Sequence, residues 1–570
     1  MKPHLVTTSI DTKKNNCKNI YLGKWGLKNY KNIHTNYHWD DRTKFYKDYV
    51  YIQKLQKQII ASLTKDLNKF HNKENPREYW ELILTPWLNC LVSSIYDKWE
   101  NISNFEKKYQ KYSTTTIKAL PKEYYPDSLE DFFSICVDDY WNLFIYGEIF
   151  RQKKKVRLIE INKKIKIKKK IKNYNLKYNF LLLIRFLLHF FNYFSKKDRV
   201  IFFKTGDEVK EFFFYIYYKT LPKYYYFSNV NTKTKSIGNT FLFSFKPKNK
   251  FENFLKKIII DFIPKNYLTN YSNILSKLDK LNLPIKPKYI FTSMGIYYND
   301  IFRIWVAEKK KNYSSRLIIN QHGGMFGIAK FSQVQDYLLK VCYKYLSFGW
   351  TINKYKKKII PYYNLFLRTV IRSNKLKKKN LIMIMAADHK YTHNLSAKPV
   401  AGQIIDDLYF KLNFIKKLNP FIYKELSIRL YQEDYGWDFR NIIKKNIRGI
   451  NFCNNNISLN NYYKNSKLII HTYNSTTILE TMNSNIPSVV LLNKDFWELS
   501  NQAQKIFDIL RLSNIFFDNA IDAAMYINKI WYNVDNWWFS SKTQKTRNLF
   551  VKNFVSNKIF LKKKIYHIFR

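Results

Sequence analysis

Five segments of this chain carry residues whose types and spacing could do chemistry. The first, Asn320-Gln321-His322-Gly323-Gly324-Met325-Phe326-Gly327, follows an apolar run ending at Ile319 and packs three of the chain's 13 glycines into five residues. Clustered glycine lets a backbone turn sharply and approach a ligand closely, leaving N–H groups free to cradle an oxyanion. His322 beside them is suited to act as a general base toward a hydroxyl or to donate to a phosphate. The competing reading is a glycine turn with a packed histidine.

The second segment, His471-Thr472-Tyr473-Asn474-Ser475-Thr476-Thr477-Ile478-Leu479-Glu480, runs from an apolar strand into a helix. A helix start presents unsatisfied N–H groups and roughly half a positive charge, and hydroxyls beside it add donors, so a phosphate fits there. Glu480, on the first turn, could accept from ribose hydroxyls. Against this stands a capping box in which Thr477 and Glu480 satisfy each other's backbone groups with no ligand.

The third segment, His38-Trp39-Asp40-Asp41-Arg42, sets two carboxylates beside a histidine and an arginine. They could bind a metal, supply a base, or simply start the next helix, since acidic residues favour helix N-termini. Tyr431-Gln432-Glu433-Asp434-Tyr435-Gly436-Trp437-Asp438 is the fourth, combining acids with stackable rings, and an ordered loop without ligand contact explains it equally well. Asp388 and His389 form a fifth, smaller group.

Apolar runs and periodicity name the elements that must position these groups. Strands are predicted at Leu5–Thr8, Ile20–Leu22, Val200–Phe203, Lys288–Thr292, Arg316–Ile319, Leu381–Met385, Ser427–Leu430, Gly449–Phe452, Leu468–His471 and Pro487–Leu492. Apolar positions three and four apart predict long helices over residues 43–70 and 78–112 and a further one over 300–309. Strand, helix, strand at this spacing is the mark of a parallel α/β sheet, whose ligands sit at the carboxyl ends of the strands. Each candidate segment except the third directly follows a predicted strand of this series.

Composition narrows the function classes. The chain has 570 residues, 99 Lys and Arg against 43 acidic residues, and a net charge of +56. Only 16 of the 99 are Arg, leaving 83 Lys. Arg is the residue of bidentate phosphate and base contacts, so this balance argues against nucleic-acid recognition and for Lys spread over solvated surface. The exception is Arg151 to Lys172, with 12 basic residues and one acid, followed by an aromatic apolar stretch from Tyr178 to Phe194. A buried helix with a solvated lead-in, a basic amphipathic element docked on an anionic membrane, and a membrane span are the three readings of it. Five scattered cysteines without a Cys-x-x-Cys pair indicate neither a disulfide framework nor a cysteine zinc site, and the first residues lack an apolar signal core, so a cytoplasmic protein is expected. Neither a Walker loop, a Gly-x-Ser-x-Gly elbow, a His-Glu-x-x-His pair nor a Gly-x-Gly-x-x-Gly turn occurs, which disfavours NTP hydrolysis, ester hydrolysis and hydride transfer.

Taken in order, His-Trp-Asp-Asp-Arg at 38–42, Gln-His-Gly-Gly at 321–324, Arg-Leu-Tyr with Asp-Tyr-Gly-Trp-Asp across 429–438, Tyr-Asn-Ser-Thr-Thr-x-x-Glu-Thr at 473–481 and Asn-Ile-Pro at 485–487 resemble a family of transferases of bacterial surface-carbohydrate biosynthesis. The resemblance runs from Leu5 to Trp537 and Trp538. That family is similar to GT-B glycosyltransferases, which implies an α/β fold of two Rossmann-like domains facing a cleft, here with a helical elaboration at about 40–195. The expected division is 1–350 for the acceptor-side domain, 351–540 for the nucleotide-donor domain, and 541–570 for a basic tail.

The resemblance implies that Ser475, Thr476 and Thr477 hold a donor diphosphate, that Glu480 contacts its ribose, and that His322 faces the acceptor. His322 and Asp41 are the candidate catalytic groups; Gln321, Gly323, Gly324, Tyr473, Asn474, Asp434, Trp437, His38 and Arg42 complete the candidate substrate contacts. Between Gly327 and Trp350, where an acidic or histidine-bearing stretch is expected, this chain has Gln333, Gln335 and Asp336. The expected partners are a nucleotide-activated sugar and a glycan or lipid-linked acceptor, with peripheral contact to anionic membrane at the inner face and no metal or other cofactor. The alternative class is a non-catalytic basic protein binding RNA or membrane.

Overall fold

The structure is a computed structural model that describes residues 3–11, 18–26, 35–153, 156–161, 196–204, 227, 241–362, 370 and 380–555. Its contacts divide into two compact units. The first comprises residues 1–320, 340–344 and 391–394; the second comprises 321–339, 345–390 and 395–570.

The first unit opens with β1 (His4–Val6), β2 (Asn19–Tyr21), β3 (Ser113–Thr116) and β4 (Arg157–Glu160), a parallel sheet in the order β2-β1-β3-β4. A second parallel run joins β5 (Val200–Phe203), β6 (Tyr289–Thr292) and β7 (Arg316–Asn320), with Val200 opposite Tyr289 and Tyr289 opposite Arg316. Between the strands of the first sheet lie α1 (Arg42–His71) and α2 (Arg77–Glu106). Phe45, Tyr49, Ile52, Ile59, Leu63 and Leu67 form a buried stripe along α1, as the periodicity predicts. On α2, buried residues occur on almost every side, which places that helix inside the unit. Helices α3 (Leu129–Cys136), α4 (Asp139–Lys153), α5 (Lys250–Phe262) and α6 (Asp300–Tyr313) complete what positions the groups discussed below.

Two cationic side chains described in this unit are fully buried: Arg303, which pairs with Asp300, and Lys98, which has no carboxylate within an ion pair among the described residues. Lys98, on α2, bonds only the carbonyl and hydroxyl of Ser94 at 3.2 and 2.8 Å, with its ammonium 5.4 to 5.8 Å from the rings of Trp141, Tyr391 and Tyr146. Burial lowers its pKa to about 8, against a smaller upward pull from Asp97.

The second unit contains one six-stranded parallel sheet built from β10 (Asn380–Ile384), β11 (Leu426–Arg429), β12 (Asn451–Phe452), β13 (Ser466–His471), β14 (Ser488–Leu491) and β15 (Phe516–Phe517). A shorter parallel pair, β8 (Lys344–Ser347) with β9 (Ile359–Pro361), matches Tyr345 to Ile359. Strand order in the larger sheet is β12-β11-β10-β13-β14-β15. Leu468, Ile469 and Ile470 are fully buried, as are Val489, Val490 and Leu491. Both faces of a parallel sheet are covered, so its strands read as continuous apolar runs. That is why these strands were legible. The order is doubly wound: the chain builds outward from β10 to β12, then returns to β13 on the other side. The switch point, where a ligand crevice forms in such sheets, is at the carboxyl ends of β10 and β13.

Two stretches differ from expectation or escape it. Ser541–Phe554, expected within a basic tail, is α8, a helix with Phe550 and Phe554 buried and Arg547 donating to the Met482 carbonyl at 2.7 Å. Most of the basic run and the aromatic stretch after it, residues 162–195, lies outside the described residues. Of its described part, Arg151 pairs with Glu148 and Glu160 at 2.6 and 3.0 Å, and Lys153 with Glu106 at 2.8 Å. Among the described residues no helix is long and apolar enough to cross a membrane.

Candidate functional site

At the end of β13 the chain leaves the sheet through Thr472, whose hydroxyl donates to the Ile384 carbonyl at 2.8 Å and so ties the ends of β13 and β10 together. Four residues later it enters α7 (Thr476–Asn483). The N-cap is Ser475, in extended backbone (φ −154, ψ −177), with its hydroxyl accepting from Thr477 N. This corrects the capping box: Thr477 is already helical, and its hydroxyl meets His471 Nδ1 and Ser475 Oγ, each at 3.1 Å. Glu480, expected to contact ribose, takes the Tyr463 hydroxyl at 3.1 Å.

His471 holds this corner rigid. Its two ring nitrogens face Thr477 Oγ1 at 3.1 Å and Thr481 Oγ1 at 2.8 Å, and complete burial drives its pKa down to about 3. The ring is therefore neutral at physiological pH. Tyr473 packs against a hydrophobic cluster of Ile382, Ile384, Ile469 and Tyr463, which makes it an anchor for the loop. Asn474 is buried with its side-chain oxygen unpartnered, immediately before the helix start. A buried amide left half-satisfied is costly unless a ligand or water completes it.

The glycine loop docks on this helix start. Gly324 N donates to Thr476 Oγ1 at 3.1 Å. A Cβ on Gly324 would lie 2.3 Å from the Ser475 carbonyl carbon, so only glycine permits this approach. Gly327 has φ +80 and lies against the Trp350 ring. Two glutamines brace the loop from behind. Gln321 donates to the Gly323 carbonyl at 2.7 Å and accepts from Phe348 N and Trp350 Nε1 at 2.9 and 2.7 Å, while Gln335 accepts from Gly327 N at 2.7 Å. Gln321, expected to touch substrate, is thus a buried brace. Gln335 and Gln333 occupy the stretch where an acid or histidine was expected, and Gln333 accepts from Leu395 N at 2.7 Å.

With its back fixed, the loop presents His322 and Gly323 outward. Nothing lies within 4 Å of the position a Cβ on Gly323 would take. His322 is exposed at its edge, yet enough protein surrounds it to hold its pKa below the ordinary histidine value by desolvation.

The fourth and fifth segments meet at the same end of the sheet. Trp437 Nε1 donates to the Asp388 carbonyl at 2.8 Å, and the Asp388 carboxylate pairs with Lys398. Asp434 accepts from Asp438 N and Phe439 N at 2.6 and 3.0 Å. Asp434 and Trp437 therefore shape the loop. Its outward face is aromatic: the His389 and Tyr435 rings lie 4.1 Å apart, and Tyr431 stacks on Tyr435 at 6.0 Å. Lys390 reaches to within 3.2 Å of where a Gly436 Cβ would stand. Lys398 had no motif around it to single it out, and Lys390 stands next to the Asp388-His389 group without being part of it.

The carboxyl ends of β10, β11 and β13 thus gather two lysines, three rings, a helix start and an external glycine loop. Over residues 3–563 the sequence matches the profile of the LIC12162 family transferases. The chain belongs to the LIC12162 transferase family. No curated protein matches it. Among solved structures it is similar in part to three. S. aureus MnaA in a co-structure with UDP is 12% identical with TM-score 0.33, over 55% of this chain and 85% of that one. UDP-GlcNAc 2-epimerase from Neisseria meningitidis bound to UDP-GlcNAc is 10% identical with TM-score 0.28, over 54% and 89%. The wall teichoic acid polymerase TagF soaked with CDPG is 12% identical with TM-score 0.28, over 54% and 75%.

The remaining segment of this LIC12162 family member belongs to the first unit. Asp41, expected as a catalytic carboxylate, is the N-cap of α1: its Oδ1 accepts from Thr43 N and Lys44 N at 2.9 and 3.0 Å. The helix-start alternative accounts for it. Arg42 lies over the Phe45 ring at 4.3 Å. His38 is buried, with Nε2 2.9 Å from Asp97 Oδ1, which also accepts from the Tyr37 hydroxyl at 2.7 Å. His38, Asp48 and Glu100 bring ligand atoms within 4.8 Å of one another. The Lys44 ammonium already bridges both carboxylates there, and Trp39 and Tyr96 donate to Asp48 at 2.9 and 2.8 Å. The two carboxylates are therefore held in an ion-pair network, while the buried His38 Nδ1 has no hydrogen-bond partner.

Proposed function

We propose that this transferase moves a sugar or related group from a nucleotide-activated donor to a surface-glycan or lipid-linked acceptor, and that the donor diphosphate lies at the start of α7. The observation carrying this reading is the coincidence of the switch point of a doubly wound sheet with a capped helix start and a docked glycine loop. Anionic oxygens there would meet the N–H of Thr476 at the helix start and the ammonium groups of Lys390 and Lys398, while the unpartnered side-chain oxygen of Asn474 would accept from a donor hydroxyl. The same groups would stabilise the charge that develops on the departing nucleotide. Base stacking falls to Tyr431 and Tyr435. His322, neutral near pH 7 because its pKa is lowered, is suited to take the proton of an acceptor hydroxyl as it attacks. The arrangement of the two units as a GT-B pair belongs to this reading.

Thermal melting in the presence of UDP-, GDP-, CDP-, CMP- and dTDP-sugars tests it, because a ligand that binds only the folded chain raises the melting temperature. One donor should raise it, and the double substitution Ser475→Ala with Thr476→Ala should abolish the rise while the unliganded chain still melts cooperatively. An unchanged rise in the double variant would remove these residues from the donor site. Within the same reading the protein works on the cytoplasmic side, at the inner membrane face where a lipid-linked acceptor is met. Co-sedimentation with anionic against neutral vesicles tests that placement.

A further inference from the structure

The first unit contains a cavity of about 870 Å³ among α1, α2, α4 and α5. Its wall follows from helical spacing. Tyr96, Trp99, Glu100, Ser103 and Glu106 recur at three- and four-residue intervals, so they line one face of α2. The floor is aromatic: Phe251 meets Tyr96 edge-on at 5.1 Å and Trp99 at 5.9 Å, and Tyr51 lies 5.7 Å from Tyr96.

The rim is polar and already ordered. Lys153 is fixed by Glu106 at 2.8 Å and Ser103 at 3.0 Å, with its ammonium 5.2 Å from the Trp99 ring. Glu100 pairs with Lys44 at 3.0 Å. Tyr51 donates to Glu252 at 2.9 Å, and Asn249 donates to the same carboxylate at 3.0 Å. Each carboxylate keeps lone pairs beyond its lysine, and the exposed amides of Gln152 and Asn253 offer both donors and acceptors at the mouth.

We propose that this cavity is a saccharide-binding site, distinct from the donor site of the second unit. A sugar ring has an apolar C–H face and a rim of hydroxyls, and the cavity has the complementary pair: an aromatic floor and a rim of carboxylates and amides. Its volume falls in the range of small-molecule sites, which are apolar with a few placed polar groups. Glu100 and Glu106 are balanced by Lys44 and Lys153, and Lys250 completes the lining, so acceptance from ring hydroxyls rather than net charge selects the occupant. Binding here stands apart from the transfer reaction, because no residue of the glycine loop or of α7 lines the cavity.

Titration calorimetry of the full chain with a panel of methyl hexosides and N-acetylhexosaminides, the matching uronic acids, and uridine tests this. Saturable binding of at least one glycoside is expected, with uridine at least fivefold weaker. Trp99→Ala and Gln152→Ala should each weaken it tenfold or more, and Gln152 is exposed, so that second change leaves the fold alone. Ser475→Ala should leave it unchanged. Absence of glycoside binding, preference for uridine, or affinity in Gln152→Ala and Trp99→Ala unchanged from the natural chain would overturn the proposal. Failure of the donor reading would instead appear as loss of nucleotide-sugar shifts with glycoside binding intact.

Discussion

The backbone N–H of Gly324 and the hydroxyl of Thr476 meet at 3.1 Å although 152 positions separate them in sequence. This one contact joins a turn lying outside the sheet to the first residue of a helix that leaves it. Adjacent glycines experience opposite surroundings there. Gly324→Ala would put a Cβ 2.3 Å from Ser475 backbone, whereas Gly323→Ala would add one to open space. The first substitution should lift the loop, weaken donor binding tenfold or more, and cost roughly 1–3 kcal/mol of stability, as overpacking does. The second should change stability by less than about 0.5 kcal/mol. Thermal melts with and without donor separate them.

Thr476→Val removes the acceptor for Gly324 N while keeping the side chain's shape. Leaving that N–H without a partner should cost about 1–2 kcal/mol. Thr476→Ser, which restores the hydroxyl, should return most of the loss. If both variants melt alike, the hydroxyl does not hold the loop.

How much of this could be read in advance differs between sheet and site. The strands of the second unit lie between covering layers, so Leu468 to His471 and Pro487 to Leu492 announce themselves as apolar runs, and observed bounds fall within two residues of them. The α1 helix was equally legible from period, whereas α2 ends at Glu106, six residues before the end its period suggests. Hydrogen-bond partners were not. Whether Ser475 or Thr477 caps α7 depends on which residue keeps extended backbone, and Ser-Thr-Thr offers three hydroxyls to choose from. Asp41 caps α1 by accepting from Thr43 N and Lys44 N, a role that the letter alone does not separate from a reacting carboxylate. Gln335 looked like a departure from pattern, yet it braces Gly327 through a contact no local signal encodes. The cavity of the first unit draws on Tyr51, Trp99, Gln152 and Phe251, residues spread over some two hundred positions, and only the packing of four helices assembles it.

Acid should loosen the corner that carries α7. The pKa of His471 is lowered by burial to about 3 from an ordinary 6.5, so the unfolded chain binds the proton first as pH falls. Its stabilising contribution is complete above pH 6.5 and is lost progressively toward pH 3, a span worth of the order of 4 kcal/mol. The melting temperature should therefore fall over this range, with a shallower slope in His471→Gln. Parallel slopes would exclude His471 as the source.

Lys98 gives the opposite sign at the other end of the scale. Its pKa in the fold is about 8 against an ordinary 10.5, so the folded chain loses the proton first as pH rises. Stability attributable to this group climbs between pH 8 and 10.5, by up to roughly 3 kcal/mol. Relative to Lys98→Met, the natural chain should gain in melting temperature over that interval. A difference between the two that does not vary with pH would show that Lys98 titrates normally.

The separation between Gly324 and Thr476 also sets a clock. Synthesis at roughly 5–20 residues per second puts about eight to thirty seconds between the emergence of the glycine loop and that of the helix it docks on. For that interval Gly324 has no hydroxyl to bond, and β13, whose end must hold α7 in place, is also still to be made. The site on the second unit is therefore assembled late and all at once. Ribosome-bound chains stopped before residue 476 should offer the 321–327 segment to a protease that the finished protein resists.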